Sequence, residues 1–254
     1  MTLPKTPSFS LKGKKALVVG ASSGIGSACA VALAEHGASV TLAARRKDRL
    51  IRLADKMRKK NWDTNILEMN IANVEETSRL ISGCEQFDIL VNSAGLARHS
   101  KSLDTSVEDF DTVMNINLKG AYFLTQAVAK KLFSMGKTGS LINISSQMGL
   151  VGGQERAVYC SSKHAVEGFT KAMAIEYGPA NIRINTICPT FILTDMTKAT
   201  FDDPEKRAWV ESKIKLGRVG AVQDIMGAVV YLASDASSLV TGSALLIDGG
   251  WTAG

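Results

Sequence analysis

The stretch that most limits how this chain can fold is Lys15 to His36. An apolar run, Lys15 to Gly20, ends in the turn Gly20-Ala21-Ser22-Ser23-Gly24-Ile25-Gly26, and a helical pattern from Ile25 to His36 begins inside that turn. A strand that passes through glycines directly into a helix is the first half of a βαβ unit. Gly37 closes the helix, and Ser39 to Ala44 reads as a second strand. Further strands are expected at Asn65–Asn70, Gln86–Asn92, Ser140–Ser145, Arg183–Cys188 and Ala244–Asp248, with helices at Val107–Met135, Val158–Tyr177 and Gln223–Ser234. Short apolar runs alternating with helical patterns predict an α/β fold, a doubly wound parallel sheet with helices on both faces. No change of composition divides the 254 residues. One domain is therefore expected over residues 11–254, behind an N-terminal extension of residues 1–10 and with a lid around 189–216.

Composition removes several classes of function. No apolar run reaches the length needed to cross a bilayer, and Met1 to Ser10 lacks the apolar core of a signal peptide. A cytoplasmic protein that does not engage membranes is expected. Cys29, Cys84, Cys160 and Cys188 are far apart, and His36, His99 and His164 do not cluster with acids. Neither a disulfide framework nor a metal site is expected. The formal charge is +6, and much of the excess lies between Arg45 and Lys60 around Leu50, Ile51, Leu53, Ala54 and Met57. That spacing suits an amphipathic helix with a solvated basic face. A nucleic-acid groove would interleave aromatic side chains, and only Trp62 is near, so no nucleic-acid partner is expected.

Parallel sheets bind ligands beyond the carboxyl ends of their strands. The turn from Gly20 to Gly26 has the setting of a dinucleotide loop, in which glycines let backbone N–H groups approach a pyrophosphate at a helix N-terminus. The architecture expected is thus Rossmann-type. At the end of the second strand an acid usually holds a free ribose 2′-hydroxyl, whereas a 2′-phosphate needs a cation. Here Ala44 is followed by Arg45 and Arg46, and guanidinium forks match phosphate geometry. NADP(H) is favoured over NAD(H). Farther along, Tyr159 and Lys163 stand four apart in a helical pattern, so they share a face. A cation at about 4 to 5 Å, at an effective dielectric near 20, is worth at most about 3 to 4 kcal/mol. The lysine is therefore expected to lower the phenol by at most about two to three pKa units, toward the range of a proton shuttle.

Taken together these motifs resemble the short-chain dehydrogenase/reductase family over almost the whole chain. Gly20, Gly24 and Gly26 match its glycine loop, and Asn92-Ser93-Ala94-Gly95 resembles its N-N-A-G segment. Asn117 falls where its helix-borne asparagine lies, Ser146 stands thirteen residues before Tyr159, and Pro189 with Thr194 resembles its P-G-x-x-x-T loop. The resemblance implies a catalytic set of Asn117, Ser146, Tyr159 and Lys163, with Tyr159 as acid/base and Asn117 supporting a water-linked proton path. It places the cofactor against Gly20, Ser22, Ser23, Gly24, Ile25 and Gly26, then Arg45, Arg46, Asn70 and Ile71. Asn92, Ala94, Gly95, Tyr159, Lys163, Pro189, Ile192 and Thr194 complete that set, with Lys163 on the nicotinamide ribose. A homo-oligomer, a tetramer in the family, is expected through the helices at Val107–Met135 and Val158–Tyr177. No metal is required.

Within the family, Ser145-Ser146-Gln147, Val158-Tyr159-Cys160-Ser161 and the run from Pro189 to Lys206 resemble the L-xylulose and dicarbonyl reductase branch. The chain departs from the family pattern at Ser93, at Asn70 in place of an aspartate and at Thr190 in place of the loop glycine. Arg156 and Phe201 stand where that branch has histidine and tryptophan. Reduction of a small carbonyl with an adjacent oxygen function is expected. Ser146 and Gln147 would hold its oxygens, Arg156 would donate to the second, and Phe201 would pack on one side. Two other readings stay open, a 3-oxoacyl carrier-protein reductase and a low-turnover NADP(H)-binding sensor or scaffold.

Overall fold

The computed structural model describes residues 2–254. Seven strands form one sheet: β1 (Lys15–Val19), β2 (Ser39–Ala44), β3 (Thr64–Glu68), β4 (Ile89–Asn92), β5 (Gly139–Ile144), β6 (Ile182–Pro189) and β7 (Ala244–Ile247). Their order is β3-β2-β1-β4-β5-β6-β7, and every pair is parallel. The order reverses between β1 and β4, which makes the switch point at which such sheets bind ligands.

Successive residues of a strand point to opposite faces, and both faces here are covered. Ala16 and Val18 of β1 join Val40, Leu42 and Ile142 under α1 (Gly24–Glu35), α2 (Lys47–Arg58) and α9 (Gln223–Ala233). Leu17 and Val19 join Leu90, Leu141 and Ile184 under α3 (Val74–Gly83), α5 (Ala121–Ser134) and α6 (Ala157–Tyr177). Burial on two sides is why the strands read as unbroken apolar runs. Leu11 is the first core residue along the chain. On α2, Leu50, Ala54 and Met57 are buried and most basic residues are exposed, but Ile51, expected on the apolar side, is exposed and Arg49 is partly buried.

The structure corrects the sequence reading in three places. The helix expected over Val107–Met135 is α4 (Val107–Met114), a π-helical turn (Asn115–Gly120) and α5. Helix α3 was not expected, although Asn73 caps it by accepting from the Glu76 N–H at 3.1 Å, a recognisable N-terminal signal. The run after β6 holds α7 (Lys198–Phe201) and α8 (Pro204–Lys213). Asp203 caps α8, accepting from the N–H groups of Glu205 and Lys206, with Pro204 at the first helical position.

Candidate active site

Because the strands are parallel, their carboxyl ends share one edge, and a cleft of about 270 Å³ opens there. It runs from Gly20 and the Ser22–Ile25 turn, past Ala44, Arg45 and Arg46, then Asn70 and Ile71, then Ala94 and Gly95, to Tyr159, Lys163 and Thr194. Gly20 has φ +81°, and a Cβ there would come within 2.7 Å of the Ala94 nitrogen. A Cβ on Gly26 would overlap the Gly20 carbonyl oxygen. These two positions keep the backbone of the turn low and open over the N-terminus of α1, a cradle suited to a pyrophosphate.

Arg46 is held against this turn. One of its Nη atoms donates to Ser22 Oγ at 2.8 Å and to Ser23 Oγ at 3.1 Å. Arg45 is exposed on the cleft and makes no ion pair among the described residues. The cleft therefore ends in cations where an acid would exclude a phosphate. Asn92, Gly26, Pro189 and Ile192, expected against a cofactor, are buried and are not among the residues that line the cleft. Asn92 is buried, donating to Asn143 Oδ1 at 3.1 Å and accepting from the Ala94 N–H at 3.2 Å, so it shapes the turn after β4. Ile192 is core and bridges to Gly220.

Asn117 lies in the π-helical turn and is buried. Its Oδ1 accepts from the Leu96 N–H at 2.9 Å, and its Nδ2 donates to the Leu96 carbonyl at 2.8 Å and to Ser162 Oγ at 3.1 Å. The amide thereby ties the loop after β4 to α6, behind the Lys163 face. Single π-helical turns inside α-helices occur often at functional sites.

Tyr159 and Lys163 line one cleft from one face of α6, but the electrostatics differ from the expectation. Tyr159 is pushed above its ordinary range, chiefly by burial, while a hydrogen bond with Ser146 and the Arg156 charge pull it back. Lys163 is not what lowers it. The ammonium donates to the Ile144 carbonyl at 2.9 Å and lies 5.7 Å from the centre of the Tyr159 ring. Burial lowers Lys163 itself to about 8, against attraction from Cys188 and Glu167. One turn farther along α6, the buried Glu167 accepts from Thr186 Oγ1 at 2.9 Å and from Cys188 Sγ at 3.3 Å. All four cysteines are free thiols.

The expected substrate residues divide. Gln147 is buried, and its Oε1 accepts from Ser146 Oγ at 2.9 Å. The Arg156 guanidinium lies 5.3 Å over the ring of Phe191. Phe201 meets Phe191 edge to face at 6.3 Å and, with Phe191 and Trp251, packs on the small core of Val210, Ile214 and Val219. Phe191, rather than Phe201, is the aromatic beside Arg156. Sequence reasoning missed Phe191 and His99, whose ring meets Tyr159 edge to face at 6.1 Å. It also missed Ile116, Asp195 and Met196 in the cleft wall. Phe191, Asp195 and Met196 fall in the recognised Pro189–Lys206 run; for His99 the sequence carries no comparable signal.

With that geometry in place the relationships are direct. A family described as enoyl-(acyl carrier protein) reductase matches residues 20–252. D-erythrulose reductase of Gallus gallus and L-xylulose reductase of Bos taurus are each 35% identical, with 96% of this chain and 98% of theirs aligned. A gluconate 5-dehydrogenase from Burkholderia cenocepacia, solved in complex with NADP and tartrate, superposes with a TM-score of 0.93 at 31% identity, covering 97% of this chain and 98% of that one. The chain belongs to the short-chain dehydrogenase/reductase family and is an oxidoreductase of the NAD(P)-dependent kind. No helix among the described residues is long and apolar enough to cross a membrane.

Proposed function

We propose that the protein is an NADP(H)-dependent carbonyl reductase that interconverts a small ketone bearing an adjacent oxygen function, such as an α-dicarbonyl or a short ketose, with its alcohol. The observation that carries this reading is that Tyr159 and Lys163, one turn apart on α6, line the same cleft as the glycine turn. When bound, NADPH supplies the hydride that the carbonyl carbon accepts. Tyr159 gives the oxygen its proton, and Ser146 steadies the charge that gathers there. Lys163 would hold the nicotinamide ribose, and Asn117 keeps the loop after β4 and α6 in place behind it. The names of the two reductases above, which act on small ketoses, support the substrate class. With NADPH saturating, kcat/KM for diacetyl is expected to exceed that for acetone and for an acetoacetyl thioester. A thioester preference overturns this reading in favour of a carrier-protein reductase.

The preference for NADP(H) rests on Ala44, Arg45 and Arg46 and on the polar rim that Arg46 forms with Ser22 and Ser23. Arg45→Ala removes charge-assisted bonds to a 2′-phosphate and is expected to lower kcat/KM for NADPH about ten- to a hundredfold, leaving that for NADH nearly unchanged. A parent enzyme that prefers NADH contradicts the assignment. Exposed Phe110 on α4, Phe123 and Phe133 on α5 and Ile175 on α6 support a homo-oligomer, a tetramer, formed through these helices. The free thiols and the lack of a spanning helix among the described residues agree with a cytoplasmic setting.

A further inference from the structure

Three arginines are partly buried: Arg49, Arg156 and Arg183. Arg49 pairs with Asp195 at 3.5 Å. Arg183 donates to the carbonyls of Leu232, Ser234 and Val240. Arg156 has neither an ion-pair partner nor a hydrogen-bond acceptor among the described residues, although burial already disfavours its charge. Glu155, its neighbour in the chain, attracts it without pairing. The Phe191 ring covers one face of the guanidinium, and the N–H edge of a guanidinium carries five donors that a ring face does not use.

The placement of this cation is specific. It is three residues before Tyr159, at the N-cap of α6, and its charge acts on both Tyr159 and His99. The rings of those two residues touch edge to face. Arg156 and Tyr159 stand three residues apart at the start of α6, the spacing of neighbours on one helix face, His99 meets the Tyr159 ring, and Ser146 and Gln147 follow the end of β5. Leaving a partly desolvated charge unpaired is costly, and the cost is recovered when an anion arrives to pair with the fork.

We propose that Arg156 is the anion-binding point of the substrate pocket and that the substrate is a small keto acid or hydroxy acid, its carboxylate on Arg156 and its reacting carbonyl or alcohol at Tyr159 and Ser146. This rests on the carbonyl-reductase reading above and narrows it. The carboxylate is unchanged in the reaction; only the keto group gains a hydride and a proton.

The test compares pyruvate, acetoacetate, levulinate and 5-ketogluconate, each against its neutral amide, with diacetyl as reference and NADPH saturating. For at least one pair the parent enzyme is expected to favour the acid in kcat/KM by about ten- to a hundredfold. In Arg156→Gln that acid-to-amide ratio should collapse toward one, and Arg156→Lys should restore part of it. Circular dichroism checks that both variants are folded, and the parent ratio stands as a test without either. Turnover of diacetyl or the amides with no preference for any acid overturns the role of Arg156 while leaving the reductase reading intact, as does an unchanged ratio in Arg156→Gln. Failure of every carbonyl, with either nicotinamide cofactor, overturns both.

Discussion

Replacing Tyr159 by phenylalanine is expected to lower kcat by about 10² to 10⁴, the usual contribution of a positioned proton donor. Only the hydroxyl is lost. The ring keeps its edge contact with His99, so the pocket should hold its shape and NADPH should bind nearly as before. Burial keeps the phenol above its ordinary range, so at neutral pH it is protonated and ready to donate in the direction of reduction. The measurement is NADPH absorbance with the best ketone available, beside a fluorescence titration of the cofactor. Turnover within a few-fold of the parent would remove Tyr159 from its role.

Lys163→Met is expected to cost about 10² to 10³ in kcat, the scale of losing one preorganised electrostatic group, while the melting temperature stays close to that of the parent. Methionine retains most of the apolar stem, and burying it carries no charge penalty. A large fall in melting temperature would mean that the lysine is structural, and unchanged kcat would dismiss it from the chemistry. The lysine also sets a pH signature. With a value of about 8, lowered mainly by burial, kcat/KM for NADPH should fall as pH rises past that point. Stability should move the other way. The unfolded chain holds this proton up to the ordinary lysine value, so between the two values it binds more protons than the fold, and unfolding grows harder as pH rises. Denaturant midpoints at pH 8 and pH 10, compared between parent and Lys163→Met, isolate this contribution.

The sheet was legible because both of its faces are covered: each strand appears as an apolar run bounded by turn residues, and β2 falls where it was expected. Tyr159 and Lys163 were legible as a pair for a different reason, since four residues on one helix share a face, whereas Ser146 was singled out only through the family resemblance. What could not be read is what the fold supplies from afar. The raised phenol and the lowered lysine follow from burial, which no spacing states. The partner of Lys163 is a backbone carbonyl at the end of another strand, and backbone groups leave no mark in composition. His99 reaches Tyr159 through the course of the loop after β4, for which the sequence offered no pattern. Helix α8 is short and half of it is charged, so its apolar stripe is too thin for periodicity to register, and only the Asp203-Pro204 start marks it.

The π-helical turn at Asn115–Gly120 acts as a phase shifter. A wider turn takes in one residue more than the α-helical repeat, and one residue is about 100° of rotation. The apolar face of α5 therefore points in a different direction from the one an unbroken helix would give it: α4 packs on α6, while α5 packs on both α3 and α6. Asn117 lies within the shifted turn, so the same extra residue that turns the helix also aims the amide at Leu96 and Ser162. Over these six residues the architecture holds the number fixed, and the identity too at Asn117, whose amide makes these bonds, and at Gly120, where a Cβ would come within 2.7 Å of the Ile71 carbonyl oxygen. A surface helix of the same length could lose a residue and fray at one end; here the loss would rotate one helix against the other and misdirect a side chain on the far side of the active site.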